Sequence, residues 1–157
     1  MTSEYTRPGN GHLRILVGRI LAVVGLAVFI IGAEPGLIGQ DRSPVVGFIQ
    51  VAVFLVGLGL ICLGGYLSLN ALWNGKPKSI IFDIGLRLGA TGYVIAVASG
   101  MADIFGFGSQ HFPDVPFFGP WQKIGVFVGE AVMGVGFLMM IPYRPPHALR
   151  DEDHPGS

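Results

Sequence analysis

Four apolar runs alternate along the chain with short polar stretches that carry glycine and proline. They cover Leu13–Ala33, Val45–Leu72, Ile80–Phe105 and Trp121–Tyr143. None shows the period-two alternation of a barrel strand, so helices are the spanning form to expect. At ~1.5 Å rise per residue, each run is long enough to cross a hydrocarbon core of ~30 Å. The pattern predicts an all-α integral membrane protein with four transmembrane helices in an up-down bundle. Helices are expected over 13–33, 45–72, 80–105 and 121–143, with polar tails at 1–12 and 144–157.

The breaks between runs have local causes. Glu34-Pro35-Gly36 stops the first run, because proline cannot continue the hydrogen-bond ladder and glycine permits a turn. Trp73-Asn74-Gly75-Lys76-Pro77-Lys78 reads as a short turn, Gly106–Pro120 as a larger loop, and Pro142, Pro145 and Pro146 end the last helix. Arg14 and Arg19 near the start of the first run suggest a secretory signal as an alternative. The run is long for that purpose, however, and a cut after Ala33 would put Ile31 where a small residue is wanted, so a membrane helix is expected.

The chain also repeats itself. Pro44-Val45-Val46-Gly47-Phe48-Ile49-Gln50 matches Pro116-Phe117-Phe118-Gly119-Pro120-Trp121-Gln122, and without a gap Gly57 then meets Gly129 and Gly64 meets Gly136. Upstream, Arg19–Glu34 resembles Arg87–Asp103 after a one-residue gap. A tandem duplication of a two-helix hairpin accounts for this order, with both copies in the same topology. Chance likeness between glycine-rich helices is the competing account.

Small residues recur every seven positions at Gly18, Gly25 and Gly32, at Gly57 and Gly64, at Gly85, Gly92 and Ser99, and at Gly129 and Gly136. In lipid, burying apolar surface gains nothing, so helices associate by close backbone approach along such faces. Gly25, Gly57, Gly64, Gly92, Gly129 and Gly136 are the expected packing positions, and a seven-residue period suits small crossing angles. Gly85/Gly89 and Gly125/Gly129 are also G-x-x-x-G pairs, and the pattern leaves open whether any glycine face serves contacts between subunits.

Composition agrees with a bilayer protein: 51% of the 157 residues are hydrophobic and 13% charged. The formal net charge of zero offers nothing to nucleic acid. The placement of charge says more than its sum. Arg7, Arg14, Arg19, Lys76, Lys78, Arg87, Arg144 and Arg150 lie at or near one side, and Arg42 and Lys123 at the other. By the positive-inside rule both termini are expected in the cytoplasm, with the protein in the plasma (inner) membrane. Cys62 is the only cysteine, sits in an apolar run and reads as a small buried residue.

Glu130, at the middle of the fourth run, is the sharpest candidate for chemistry. An acid near the bilayer centre is expensive, so it faces protein or water and is paired or protonated. It serves either as a proton, ion or partner site or as a neutral or paired group that fixes packing. Its repeat counterpart is Leu58, so the hairpin itself does not require an acid there. Arg19 is a conceivable partner, although snorkelling to the interface is the stronger reading. Asp83 and Arg87, four apart, can pair on one helix face, and Arg87 can alternatively meet anionic lipid. Asp103 is placed at the outer end of the third helix, on the face of Gly85 and Gly92. With His111 and Asp114 in the following loop it makes a weak candidate for acid–base or metal chemistry. The aromatic residues of that loop read first as an interfacial belt. Glu34 and Asp41 on the first loop read as solvated acids.

No phosphate loop, H-E-x-x-H, G-x-S-x-G or C-x-x-C motif occurs, and His12 and His147 are placed outside the spans. No catalytic, cofactor-binding or metal site is therefore expected, and the tails read as too short for a soluble domain. The sequence points first to a non-enzymatic structural or accessory subunit, with the bilayer and other membrane subunits or further copies of itself as partners. The alternative is a small proton- or ion-coupled transporter or channel-like protein using Glu130. An enzyme acting on a lipid or quinone at the outer loop would rest on Asp103, His111 and Asp114 alone.

Overall fold

The computed structural model of the chain describes residues 11–34, 47–73, 77–106 and 119–142. The described residues form four helices: α1 (Gly11–Ala33), α2 (Phe48–Leu72), α3 (Ile80–Gly100) and α4 (Pro120–Met140). All four are long and apolar enough to cross a membrane. No strand occurs among the described residues.

Helix starts are set by local chemistry. Ser79 caps α3, its hydroxyl accepting from the Phe82 N–H at 3.2 Å. The two P-x-x-G-x-x-Q segments both put their glycine at the N-cap in extended backbone: Gly47 with φ −74 and ψ 155, Gly119 with φ −71 and ψ 161. The second expected helix therefore begins at Phe48 rather than Val45. The two glutamines then diverge. The Gln122 side chain is 5% exposed and folds back so that its Oε1 accepts from the Gly119 N–H at 2.6 Å. This is one half of a capping box, and Pro120 at the first helical position fits the same start. At α2 no side chain caps Gly47.

Other expected boundaries also move. α1 begins at Gly11 and takes His12 into its first turn. α3 stops at Gly100, not Phe105, and residues 101–106 form a turn closed by Gly106 at φ 76. α4 ends at Met140, because Ile141 is extended ahead of Pro142. That matches the conformation forced on a residue preceding proline. Asp83 and Arg87 are both exposed, and no ion pair joins them among the described residues.

α1 lies antiparallel along α2, and α3 along α4, in two intimate hairpins. Backbone meets backbone at the glycines of the seven-residue stripes. A Cβ added to Gly25 would stand 2.7 Å from the Ile61 nitrogen and 2.9 Å from the Gly57 oxygen. One added to Gly64 would stand 2.6 Å from the Gly18 oxygen. In the other hairpin, Gly92 and Gly129 face each other's carbonyl oxygens at 2.5 and 2.6 Å by the same measure, and Gly85 meets the Gly136 oxygen at 2.6 Å. The G-x-x-x-G residues Gly89 and Gly125 lie against Gly136 and Ser99, so these faces are used within the chain.

The contacts of the two hairpins correspond one to one. Gly18, Ala22, Gly25 and Phe29 meet Gly64 and Gly57 as Gly85, Gly89, Gly92 and Ala96 meet Gly136 and Gly129. This register sets Arg19 level with Leu86 and Arg87 level with Ile20. The sequence match of Arg19 to Arg87 is therefore one residue out, because the glycine contacts, not the arginines, hold the register.

Between hairpins the contact is narrower and runs from α2 to α3 and α4. Val51, Phe54, Leu55 and Leu58 of α2 pack with Ala96 of α3 and with Val126 and Met133 of α4. α1 contributes only Gly18, Gly25 and Gly32 to the buried set. At the turn end, Trp73 Nε1 donates to the Met140 carbonyl at 3.0 Å and its ring meets Phe82 edge-on at 5.5 Å. Phe82 and Met140 are fully buried there, and the Lys78 ammonium stands 5.1 Å from the centre of the Phe82 ring.

Two contrasts test this packing by reversible unfolding in mild detergent. Gly92→Leu should destabilise by about 3 kcal/mol or more, because the added side chain drives into α4 backbone. Gly134→Ala meets nothing within 4 Å and should leave stability within about 1 kcal/mol or raise it. Gln122→Ala should cost about 1 kcal/mol through the lost cap, whereas Gln50→Ala should not.

Candidate functional site

Glu130 lies midway along α4, one residue past Gly129. Gly129 is committed to α3, so the next residue, about 100° round the helix, faces elsewhere. Val126 and Met133, four before and three after it, face the core formed with α2. Glu130 therefore projects on the flank of α4 that looks toward the first hairpin.

A groove of about 430 Å³ occupies that flank. Phe29, Gly32 and Ala33 of α1 line it, with Gln50, Val51 and Phe54 of α2 and Lys123, Val126, Phe127 and Glu130 of α4. Phe29 and Phe54 form a tilted ring pair with centroids 5.0 Å apart. The groove exists because α1 and α4 scarcely touch. It runs from the level of Glu130 to that of Lys123, two helical turns or about 10 Å nearer the loop end. No ion pair joins Glu130 to Lys123 among the described residues.

The corresponding place in the other half is filled. There Gly100 of α3 comes up to Leu55 and Val51. By the matching glycine contacts, the positions equivalent to Glu130, Phe127 and Lys123 are Leu58, Leu55 and Val51, which are 3%, 3% and 6% exposed. α2 thus shows three apolar residues to a packed core, where α4 shows an acid, an aromatic ring and a base to a gap.

The other expected residues lie apart from this groove. Arg19 is exposed on α1, ten residues or about 15 Å along the axis from Phe29. Asp103 is not on α3 but in the turn that follows it. One of its carboxylate oxygens is shut away with no hydrogen-bond partner among the described residues. His111 and Asp114 fall outside the described residues, as does Asp41. Glu34 is exposed at the end of α1. Gly25, Gly57, Gly64, Gly92, Gly129 and Gly136 each lie against backbone of the paired helix. No group of three or more His, Cys, Asp or Glu side chains able to hold a metal occurs among the described residues. Cys62 borders a smaller hollow of about 220 Å³ beside Tyr66, Tyr93 and Phe137.

Gln50, Lys123 and the three phenylalanines were not singled out by the sequence. Lys123 and Glu130 are seven apart and so share a helix face, which is a usable signal. The contributions of α1 and α2 had none, because they depend on how the hairpins sit together.

Cysteine labelling checks the contrast between the open and filled sides. With Cys62 replaced by Ala, Phe127→Cys should react readily with a lipid-soluble maleimide in membranes, since Phe127 is 68% exposed. Leu55→Cys, at the equivalent position, should be protected until the protein unfolds. In comparisons of the chain with protein-family models, with curated proteins and with solved structures, no match was found.

Proposed function

We propose that this chain is a small multi-pass membrane protein that works as an ion-coupled, transporter-like binding protein through Glu130. The supporting observation is the groove between α1, α2 and α4, with Glu130 at its inner limit. A carboxylate at mid-depth is retained against its solvation cost, and its repeat counterpart is an ordinary leucine. Such a group is neutral with a proton bound and otherwise requires a cation, so exchange of one for the other couples the two species. The groove opens sideways between α1 and α4, so its occupant does not need a water-filled path through four helices. On this reading the helices form an up-down bundle that arose by tandem duplication of a hairpin, with Lys76, Lys78 and both termini on the cytoplasmic side of the plasma (inner) membrane.

A second reading, the non-enzymatic structural or accessory subunit, draws on the same asymmetry. α1 packs almost wholly on α2, and a helix from another subunit or a second copy would fill the groove as α3 fills its counterpart. Neither reading uses Asp103, His111 and Asp114 as an enzyme site.

Proteoliposomes separate the two. Under an imposed pH gradient, a panel of inorganic and organic cations should include at least one that collapses the gradient with wild-type protein. Glu130→Gln should then fall to the rate of empty liposomes. Equal rates for the two proteins across the panel would end the transport reading. A stable complex with other subunits, extracted intact in mild detergent, would favour the accessory one.

A further inference from the structure

We propose that the α1/α2/α4 groove is a binding site for a lipid-soluble organic cation, with its charge held at Glu130 against the phenylalanine rings. This rests on the reading that Glu130 is the working group of the groove, and it names the class of substrate.

The walls of the site decide the class. The gap between α1 and α4 is bordered by Phe29, Ala33 and Phe127, so a molecule enters past apolar side chains. A small inorganic cation gives up hydration in such a place only for several oxygen ligands. The described lining offers the Glu130 carboxylate and, near the other limit of the groove, the Gln50 amide oxygen. An organic cation with its charge spread over alkyl or aryl groups is weakly hydrated and asks for a different shell: one anion and several aromatic faces. Glu130 supplies the anion. The Phe29–Phe54 pair supplies one wall and Phe127 the other. The volume falls in the range of small-molecule pockets.

The charges order the occupant as well. Lys123 stands two turns toward the loop end and repels positive charge there, so a cation is held at the Glu130 end. Among the described lining residues, Lys123 on α4 is the only other titratable group, and α1 and α2 present none. The carboxylate holds one proton or one monovalent cation, so binding a cation to the protonated site releases one proton. The filled half of the molecule is the internal contrast: with Leu58, Leu55 and Val51 in the equivalent places it has neither the anion nor the room.

The test uses the full chain in mild detergent, with tetraphenylphosphonium as the probe in equilibrium dialysis. Wild-type protein should bind about one probe per chain in the micromolar range, more tightly as pH rises through the titration of Glu130. Glu130→Gln should lose roughly a hundredfold in affinity or more, and Glu130→Asp should retain part of it. Phe54→Leu keeps the groove apolar but removes a ring face, and should weaken binding by about three- to thirtyfold. Folded wild-type protein that does not bind the probe overturns the proposal, as does Glu130→Gln protein that binds as well as wild type. A partner helix that co-purifies in the groove and excludes the probe also overturns it. Coupled flux of an inorganic cation without probe binding would remove this inference and leave the transport reading standing. Glu130-dependent probe binding without any coupled flux would do the reverse.

Discussion

Backbone contact at glycine is what the rest of this fold depends on. In water, a helix pair is held by removing apolar side chains from solvent, but between two lipid-like surfaces that gain disappears. What remains is dispersion, and dispersion is strongest where nothing separates the two backbones. The Gly25–Gly57 and Gly92–Gly129 crossings reach that limit, each glycine standing against the other's carbonyl oxygen. Approach this close leaves no room for a methyl group, sets each hairpin to one register, and turns every other side chain to a determined direction. The carbonyls at these crossings are also placed for weak Cα–H···O contacts, which fits the reciprocal geometry.

The orientation of Glu130 follows from that register. Once Gly129 is locked to α3, its neighbour has to look toward the first hairpin. The same constraint acts on Leu58, next to Gly57, and turns it toward the second hairpin. Two residues at equivalent positions thus face the seam from opposite sides. One enters the core with Ala96 and Val126, and the other lines the groove. The difference between the halves is chemical as well as geometric: Val51, Leu55 and Leu58 close up, while Lys123, Phe127 and Glu130 do not.

The hairpins are joined more lightly than they are built. Apart from the α2-centred core, the turn-end cluster of Trp73, Phe82 and Met140 is the firmest link, with the indole N–H satisfying a carbonyl at the end of α4. It ties the end of α2 to the start of α3 and the end of α4, and leaves α1 attached chiefly through α2. α1 is therefore the helix with the least holding it against α4, and the groove lies beside it.

The sequence by itself determined the four long apolar helices, the breaks between them, the glycine stripes and the isolation of Glu130. Each is a local property: run length, proline and glycine placement, a seven-residue period, one acid in an apolar stretch. It also carried the starts of α2 and α4, since both P-x-x-G-x-x-Q segments place glycine at the cap. It misplaced the end of α3 because Met101–Phe105 stays apolar but for Asp103 past the point where the helix gives way to a turn. It matched Arg19 to Arg87 because like residues attract an alignment, whereas contact register is decided by which atoms meet. The groove and its phenylalanines were decided only by tertiary structure. They depend on how one hairpin sits against the other, and two hairpins with matching glycine contacts can be set together so that one seam closes and the other stays open.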